Sequence, residues 1–267
     1  GDLPVTAAVY DGDTLIAETT DKVVKLPDCK LWSPEHPFLY NVVFTAGKDR
    51  VKSYFGMRKF SVGTDENGIK RLFLNNKPYF HNGLLDQGYY PDGFLTPPSN
   101  AAMENDVKAV KNMGFNMLRK HIKIEPLLWY HYCDVNGIIV WQDMVNGGGS
   151  YGAEISVLPF IGINLDDHKY KTFKRTDAEQ RENYYIELAD MIDELYNCPC
   201  IAVWVPFNEG WGQFDSANAY NFIKNMDSTR IVDSASGWHD RGVTDVISKH
   251  IYLTPIKVTR FINQKKA

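Results

Sequence analysis

Cysteine is scarce: four residues in 267, none at zinc-ligand spacing, and two of them separated only by a proline in Cys198-Pro199-Cys200, a poor pair for a bridge of their own. That argues against a disulfide-dense scaffold and against a cysteine zinc site. No apolar run approaches the roughly 18 residues of a membrane span, so no membrane partner is expected. The opening Gly1-Asp2-Leu3-Pro4 lacks the basic start and apolar stretch of a signal peptide, and the chain reads as soluble, with periplasm and cytoplasm both left open. Charge of one sign is also missing. Lys plus Arg is 29 against 33 for Asp plus Glu, a net charge of -4, which disfavours nucleic acid as a partner. Internal repeats and low-complexity tracts are absent.

Aromatic residues are plentiful, at 13% with 15 Tyr and 6 Trp, and such faces stack on sugars as well as fill cores. Residues 1–62 read as a small β-sandwich of immunoglobulin-like type, with strands at Val5 to Tyr10, Thr14 to Glu18, Val23 to Leu26, Tyr40 to Ala46 and Val51 to Phe55. From about Arg71 strands alternate with helices. Ser99-Asn100 caps a helix with Met103, Val107 and Val110 on one face. A second helix starts near Glu125-Pro126 and stops at Gly137, and a third opens on Thr176-Asp177-Ala178-Glu179 in a capping-box pattern. Six strands of the alternating kind are expected: Tyr79 to Gly83, Asn116 to His121, Ile138 to Trp141, the run into Glu209, Arg230 to Asp233, and Val246 to Tyr252.

Repeated βα units imply a parallel sheet, and no Gly-x-Gly-x-x-Gly follows the first strand, so a (β/α)8 TIM-type barrel is preferred over a dinucleotide fold. Eight such units need about 250 residues. Residues 63–267 hold fewer, so the barrel is expected to be truncated after about six βα strands, and the abrupt start and finish suggest a piece of a longer protein.

Polar groups at the C-terminal ends of barrel strands converge on one mouth. The candidates there are Asp86 and Gln87, Arg119 and His121, Asp143, Asn208 and Glu209, Trp238 and His239, and His250 with Tyr252. Arg119 and His121, two apart on a strand, share a face. Glu209 ends the uncharged run Cys200 to Phe207, and a carboxyl there is pushed upward in pKa by lost hydration unless something pairs with it. Met144 to Arg175, about 30 residues with three successive glycines, is a long connection of the kind that is functional or mobile, and is expected to form a wall of the site at the mouth.

In order along the chain stand Phe55-Gly56-Met57-Arg58, Leu74-Asn75-Asn76-Lys77-Pro78, Gly83 with Pro91-x-Gly93, and Asp106-x-x-x-x-Lys111-x-x-Gly114-x-Asn116-x-x-Arg119. Trp129-Tyr130-x-x-Cys133-Asp134-x-x-Gly137 and Asn197-x-Pro199-x-Ile201-x-x-Trp204-x-x-x-Asn208-Glu209 follow. Together they resemble glycoside hydrolase family 2, the bacterial β-galactosidases, β-glucuronidases and β-mannosidases among them. The resemblance implies an oligosaccharide or β-glycoside substrate and retaining hydrolysis by two glutamates. Glu209 corresponds to the acid/base and Asn208 to the residue that binds the sugar 2-hydroxyl. Arg119, His121, Asp86, Asp143, Trp238, His250 and Tyr252 are the expected substrate-binding residues. From Gly210 to Ala267 there is no Glu, so the nucleophile is expected to be absent from this chain, and the chain alone inactive.

Where typical relatives carry Asn-Arg-His-Glu, this chain has Leu85, Asp86, Gln87 and Gly88; His121 stands two rather than three after the arginine, and Asp143 replaces a common Glu. These departures weaken both galactose specificity and any Mg²⁺ requirement, so no cofactor and no metal are expected. A uronic acid would need a cationic clamp, for which Lys120, Lys123 and Lys249 are available. A non-catalytic carbohydrate-binding relative is the alternative outside enzymes. Assembly with copies of itself is left open.

Overall fold

The computed structural model describes residues 3–252. Near the N-terminus, β1 (Val5–Asp11), β2 (Thr14–Thr19), β3 (Tyr40–Ala46) and β4 (Asp49–Phe55) form one antiparallel sheet in the order β2-β1-β3-β4. Gly12 and Gly47, both at a φ of 60°, turn the two hairpins. Alternation puts Val9, Tyr40 and Val42 on the buried face.

The expected strand Val23 to Leu26 does not form. Its backbone joins no ladder, and Val24 and Leu26 instead pack on Val9, Tyr40 and Val42 as a covering segment. The described residues therefore show a single four-stranded sheet here rather than two facing sheets.

A second antiparallel sheet, β5 (Phe60–Thr64), β6 (Lys70–Leu74) and β7 (Lys77–Pro78), was not foreseen as a unit, and residue 62 lies within its first strand. Asn75 and Asn76, at φ of 52° and 64°, make the two-residue turn between β6 and β7, which accounts for the Asn-Asn pair. Phe60 and Leu74 join the large core.

The remaining strands, β8 (Gly83–Asp86), β9 (Met117–Lys120), β10 (Ile139–Asp143), β11 (Ile201–Val205) and β12 (Ile231–Val232), form a parallel sheet in strict chain order. Between them run α1 (Asn100–Asn112), α2 (Leu127–Asn136), α3 (Ala153–Val157), α4 (Ala178–Leu195) and α5 (Ser216–Met226). Successive neighbours with helical crossovers are the arrangement of a barrel's opening strands. Two sequence expectations are corrected. The first strand begins at Gly83 rather than ending there, because Lys77–Pro78 already pairs with β6. Val246 to Tyr252 forms no strand, leaving five among the described residues where six were expected; Asp245 still reaches Val232 through its backbone N–H, but the chain then leaves the sheet edge.

Helix ends follow local chemistry. The Ser99 hydroxyl accepts from the Ala102 N–H, Gly137 closes α2 at a φ of 67°, and the Asp177 carboxylate, rather than Thr176, accepts from Glu179 and Gln180 at the start of α4. Buried Leu188, Ile192 and Leu195 of α4 belong with Val203 and Trp204 of β11 to one continuous core.

The antiparallel part is tied to the base of the barrel. Arg58 Nε donates to the Pro199 carbonyl at 3.0 Å, Trp32 Nε1 to the Asp134 carbonyl at 2.8 Å, and the Tyr54 hydroxyl to Asp134 Oδ2 at 2.8 Å. At Gly56 a Cβ would come within 2.8 Å of Pro199 Cβ, so the glycine permits that close approach.

Candidate active site

Strand pairing sets the geometry. Arg119 of β9 lies level with Leu85 of β8 and Trp141 of β10, and its side chain points to the interior. There its Nε donates to Asp143 Oδ1 at 2.9 Å and its Nη2 to Asp143 Oδ2 at 3.0 Å, a two-toothed pair with the aspartate fully buried. Nη2 also donates to Asn208 Oδ1 at 2.8 Å. Burial alone would lower the pKa of Arg119, but the Asp143 carboxylate reverses the sign and holds the guanidinium above its ordinary value.

Asn208 and Glu209 follow β11 by way of Pro206 and Phe207. The sheet is prolonged there by one parallel bridge, Asn208 to Ser236, and the Glu209 N–H donates to the Ser236 carbonyl at 2.9 Å. Glu209 has a φ of 53°, a left-handed conformation that costs a non-glycine residue about 1–2 kcal/mol. Gly210 follows at a φ of 72°, where a Cβ would meet the His239 ring. The turn swings the Glu209 side chain back over the strand ends, and the residue is 8% exposed.

His250 Nδ1 stands 2.7 Å from Glu209 Oε1, and the Tyr252 hydroxyl donates to the same oxygen. His250 Nε2 in turn lies 3.2 Å from Arg119 Nη1 and 3.1 Å from Ser236 Oγ. Burial pushes the Glu209 carboxyl up, as foreseen, but the hydrogen bonds from His250 and Tyr252 and the Arg119 charge outweigh it, and the net pKa lies below the ordinary value. The expectation of a raised pKa is thus corrected. The same contacts, with burial leading, push Tyr252 up to about 12.

His121 completes one wall, its Nε2 3.1 Å from Asn208 Nδ2 and its Nδ1 3.4 Å from Gln87 Nε2. Burial holds its pKa below the ordinary value, with the Arg119 charge acting in the same direction. Trp238, His250 and Tyr252 line a cavity of about 450 Å³ together with Phe160, Asn164 and Lys249. The ring centroids of Phe160 and Trp238 are 5.5 Å apart. Met144 to Arg175 therefore does reach the cavity, through the 3₁₀ turn Leu158–Ile161 and the residues just after it.

Asp86 is not brought to this cluster. It pairs in register with Lys120, which alternates to the opposite face of β9 from Arg119, and its carboxylate accepts from Lys120 Nζ at 2.8 Å. Lys120 and Lys123 both pair with Glu125, each at 2.8 Å. His239 is held away as well, its Nε2 2.9 Å from the Ile155 carbonyl. Trp211, two residues after Glu209, stacks on Tyr151 with 15° between the planes. Ser236 and Phe160 were missed. Ser236 lies three residues beyond the expected strand Arg230 to Asp233, in a loop of small residues, and Phe160 sits in a segment without periodicity.

A carboxylate fixed beside an amide, a guanidinium, two imidazoles and a phenol suits proton transfer to an oxygen held by polar hydroxyl-binding groups. Residues 70–264 match the family model for Glycosyl hydrolases family 2, TIM barrel domain, and residues 4–58 match that for Glycosyl hydrolases family 2. The chain belongs to glycosyl hydrolase family 2. It is similar to a beta-galactosidase of Pectobacterium atrosepticum, 28% identical over 234 residues that are 84% of this chain and 20% of that protein. A beta-galactosidase of Oenococcus oeni is 28% identical over 242 residues, again 84% of this chain and 20% of that protein. This chain thus spans about a fifth of the length of these curated relatives. In fold it is similar to beta-glucuronidase 3 of Bacteroides uniformis, with a TM-score of 0.70 at 18% identity over 93% of this chain and 31% of that one. A family 2 beta-galacturonidase of Eisenbergiella tayi gives a TM-score of 0.63 at 20% identity, over 85% of this chain and 39% of that one. Among the described residues no helix is long and apolar enough to cross a membrane.

Proposed function

We propose that this chain carries the acid/base half of a retaining exo-β-glycosidase that hydrolyses a terminal β-linked sugar, in the manner of a β-galactosidase. The observation that carries the reading is the placement of Glu209, turned over the strand ends and gripped by His250 and Tyr252 instead of facing solvent. Glu209 would donate a proton to the glycosidic oxygen and later take one from the attacking water. Asn208, its amide oriented by Arg119, would bind the sugar 2-hydroxyl, with His121 and Asp143 as the supporting wall. Trp238 and Phe160 would face the leaving group.

Double displacement needs a second carboxylate about 5 Å away, and no Glu follows Gly210 in this sequence. We read the nucleophile as supplied from outside this chain. On that reading the depressed pKa of Glu209 belongs to a half-site: a second negative charge beside it would raise its pKa toward the value that a neutral-pH acid requires. The sheet before residue 62 is read as part of an immunoglobulin-like sandwich and residues 63–267 as the catalytic unit.

A second reading, a β-glucuronidase, is favoured by one observation. Lys120 and Lys123 are engaged by Asp86 and Glu125, but Lys249 lines the cavity beside Tyr252, where it would meet a uronate carboxylate.

Chromogenic β-galactosides and β-glucuronides, offered to the intact protein and to this chain alone, separate the readings. The intact protein is expected to turn over the galactoside and this chain alone neither substrate. Preference for the glucuronide, abolished by Lys249→Ala, would establish the second reading, and full turnover by this chain alone would refute the half-site.

A further inference from the structure

Asp166, Asp167 and His168 sit together in the long connection between β10 and α4, and one ligand atom from each lies within 4.8 Å of the others. Metal–ligand bonds of about 2.0–2.4 Å put ligand atoms no further apart than that. Asp167 is 1% exposed. Its Oδ2 accepts from Gln213 Nε2 and the Ser216 N–H, both at 3.0 Å, and from the Ser216 hydroxyl at 2.5 Å. Its Oδ1 is buried without a hydrogen-bond partner among the described residues and lies 3.8 Å from His168 Nδ1. A buried carboxylate oxygen left so is costly unless a cation meets it.

A further carboxylate lies on the other side of the imidazole. Asp215, the residue before α5, accepts from the Tyr170 hydroxyl at Oδ2 (2.8 Å), and its Oδ1 lies 3.5 Å from His168 Nε2, outside the set of mutually close ligand atoms. Arg241 stands 3.4 Å from Asp166 Oδ1 and 3.9 Å from Asp167 Oδ1. One guanidinium between two carboxylates leaves a negative charge for a cation to meet.

We propose that Asp166, Asp167 and His168 bind a divalent transition cation of the Zn²⁺ or Mn²⁺ type. An imidazole among carboxylates selects that class over Ca²⁺ and Mg²⁺. His168, 63% exposed at its side chain, turns from Asp166 to present a ring nitrogen. Asp167 already ties the connection that carries Phe160 and Asn164 to Ser216 at the start of α5, and the cation holds that tie beside the cavity described above. This site is separate from Glu209 and does not depend on the glycosidase reading.

Calorimetric titration of chelator-treated protein with ZnCl₂, MnCl₂ and CaCl₂, paired with thermal melts, tests it. The expected result is one saturable Zn²⁺ per chain and a Tm raised by several degrees. In Asp166→Asn/His168→Gln, whose changes are at partly or largely exposed positions, affinity should fall roughly ten-fold or more and the Tm increment vanish. No saturable binding, or undiminished binding in that variant, would overturn the site, and tighter binding of Ca²⁺ than of Zn²⁺ would overturn the metal class.

Discussion

Arg119 Nη1 and His250 Nε2 are 3.2 Å apart, and because a guanidinium only donates, His250 must accept at Nε2 and carry its proton on Nδ1, 2.7 Å from Glu209 Oε1. Arg119 thereby sets the direction of the hydrogen bond that holds Glu209, although it does not touch that carboxylate.

Removing a donor to Glu209 should raise its pKa. Tyr252→Phe deletes one hydrogen bond to Oε1, and His250→Ala deletes the other. Carbon-detected NMR titration of the Glu209 carboxyl should place wild type below the ordinary glutamate value and both variants above wild type. No upward movement in either would mean that Glu209 is not governed by these contacts.

Arg119→Ala should be severely destabilising. It leaves Asp143, fully buried, with its charge uncompensated, at a cost of about 3–5 kcal/mol. Denaturant unfolding measures this. Adding Asp143→Asn should recover part of the loss, because the doubly changed site has no orphaned charge.

Two buried aspartates should add stability as pH falls from 7 toward 4, while His81, which burial pushes down to about 4 from an ordinary 6.5, should subtract it over the same range. Asp134 and Asp233 are each pushed up to about 6, burial being the largest cause in both, against an ordinary value of 3.8. A folded pKa above the unfolded one gives stability that is fully present below 3.8 and lost as pH rises through about 6. For Asp134 the displacement corresponds to ~3 kcal/mol. Asp227 acts oppositely. Burial works against it, but the Arg230 charge leads the forces that hold it down at about 2, so its contribution is present above 3.8 and lost as pH falls through about 2. Asp134→Asn should flatten the profile between pH 4 and 6, and an unchanged slope would show that Asp134 titrates normally.

Most helix limits were legible in the sequence because they rest on contacts within a few residues. Ser99 caps α1 and Gly137 ends α2 where the residue types require it. The strands β9 and β10 were legible too, each following a glycine that stops a helix, Gly114 and Gly137. What failed was non-local. Val23 to Leu26 and Val246 to Tyr252 alternate like strands, but a strand exists only if a neighbour offers a ladder, and neither segment has one. The pKa of Glu209 was misread for the same reason: the apolar run before it is visible in sequence, whereas His250 and Tyr252 arrive from about forty residues downstream. Asp86 was misplaced because the face of a strand flips with each residue, and its register against Lys120 could not be read from the chain.

Among the described residues β8 and β12 are the two edges of the parallel sheet, and beside β8 Leu85, Tyr89, Phe94 and Leu95 are all more than half exposed. An apolar, unpaired edge of this kind invites association. Sedimentation should show self-association that grows with concentration. Leu85→Lys, placing a charge on that edge, should shift the balance toward monomer, and a wild-type monomer at all concentrations would contradict the expectation.

The proton donor itself is tested most directly by Glu209→Ala in the intact protein, assayed with a phenyl and a dinitrophenyl β-glycoside, with and without azide. The account predicts a loss of about 10²–10⁴ in kcat on the phenyl substrate, a far smaller loss in the glycosylation of the dinitrophenyl one, and a β-glycosyl azide product. Unchanged turnover of the phenyl substrate, or an α-configured azide, would contradict it.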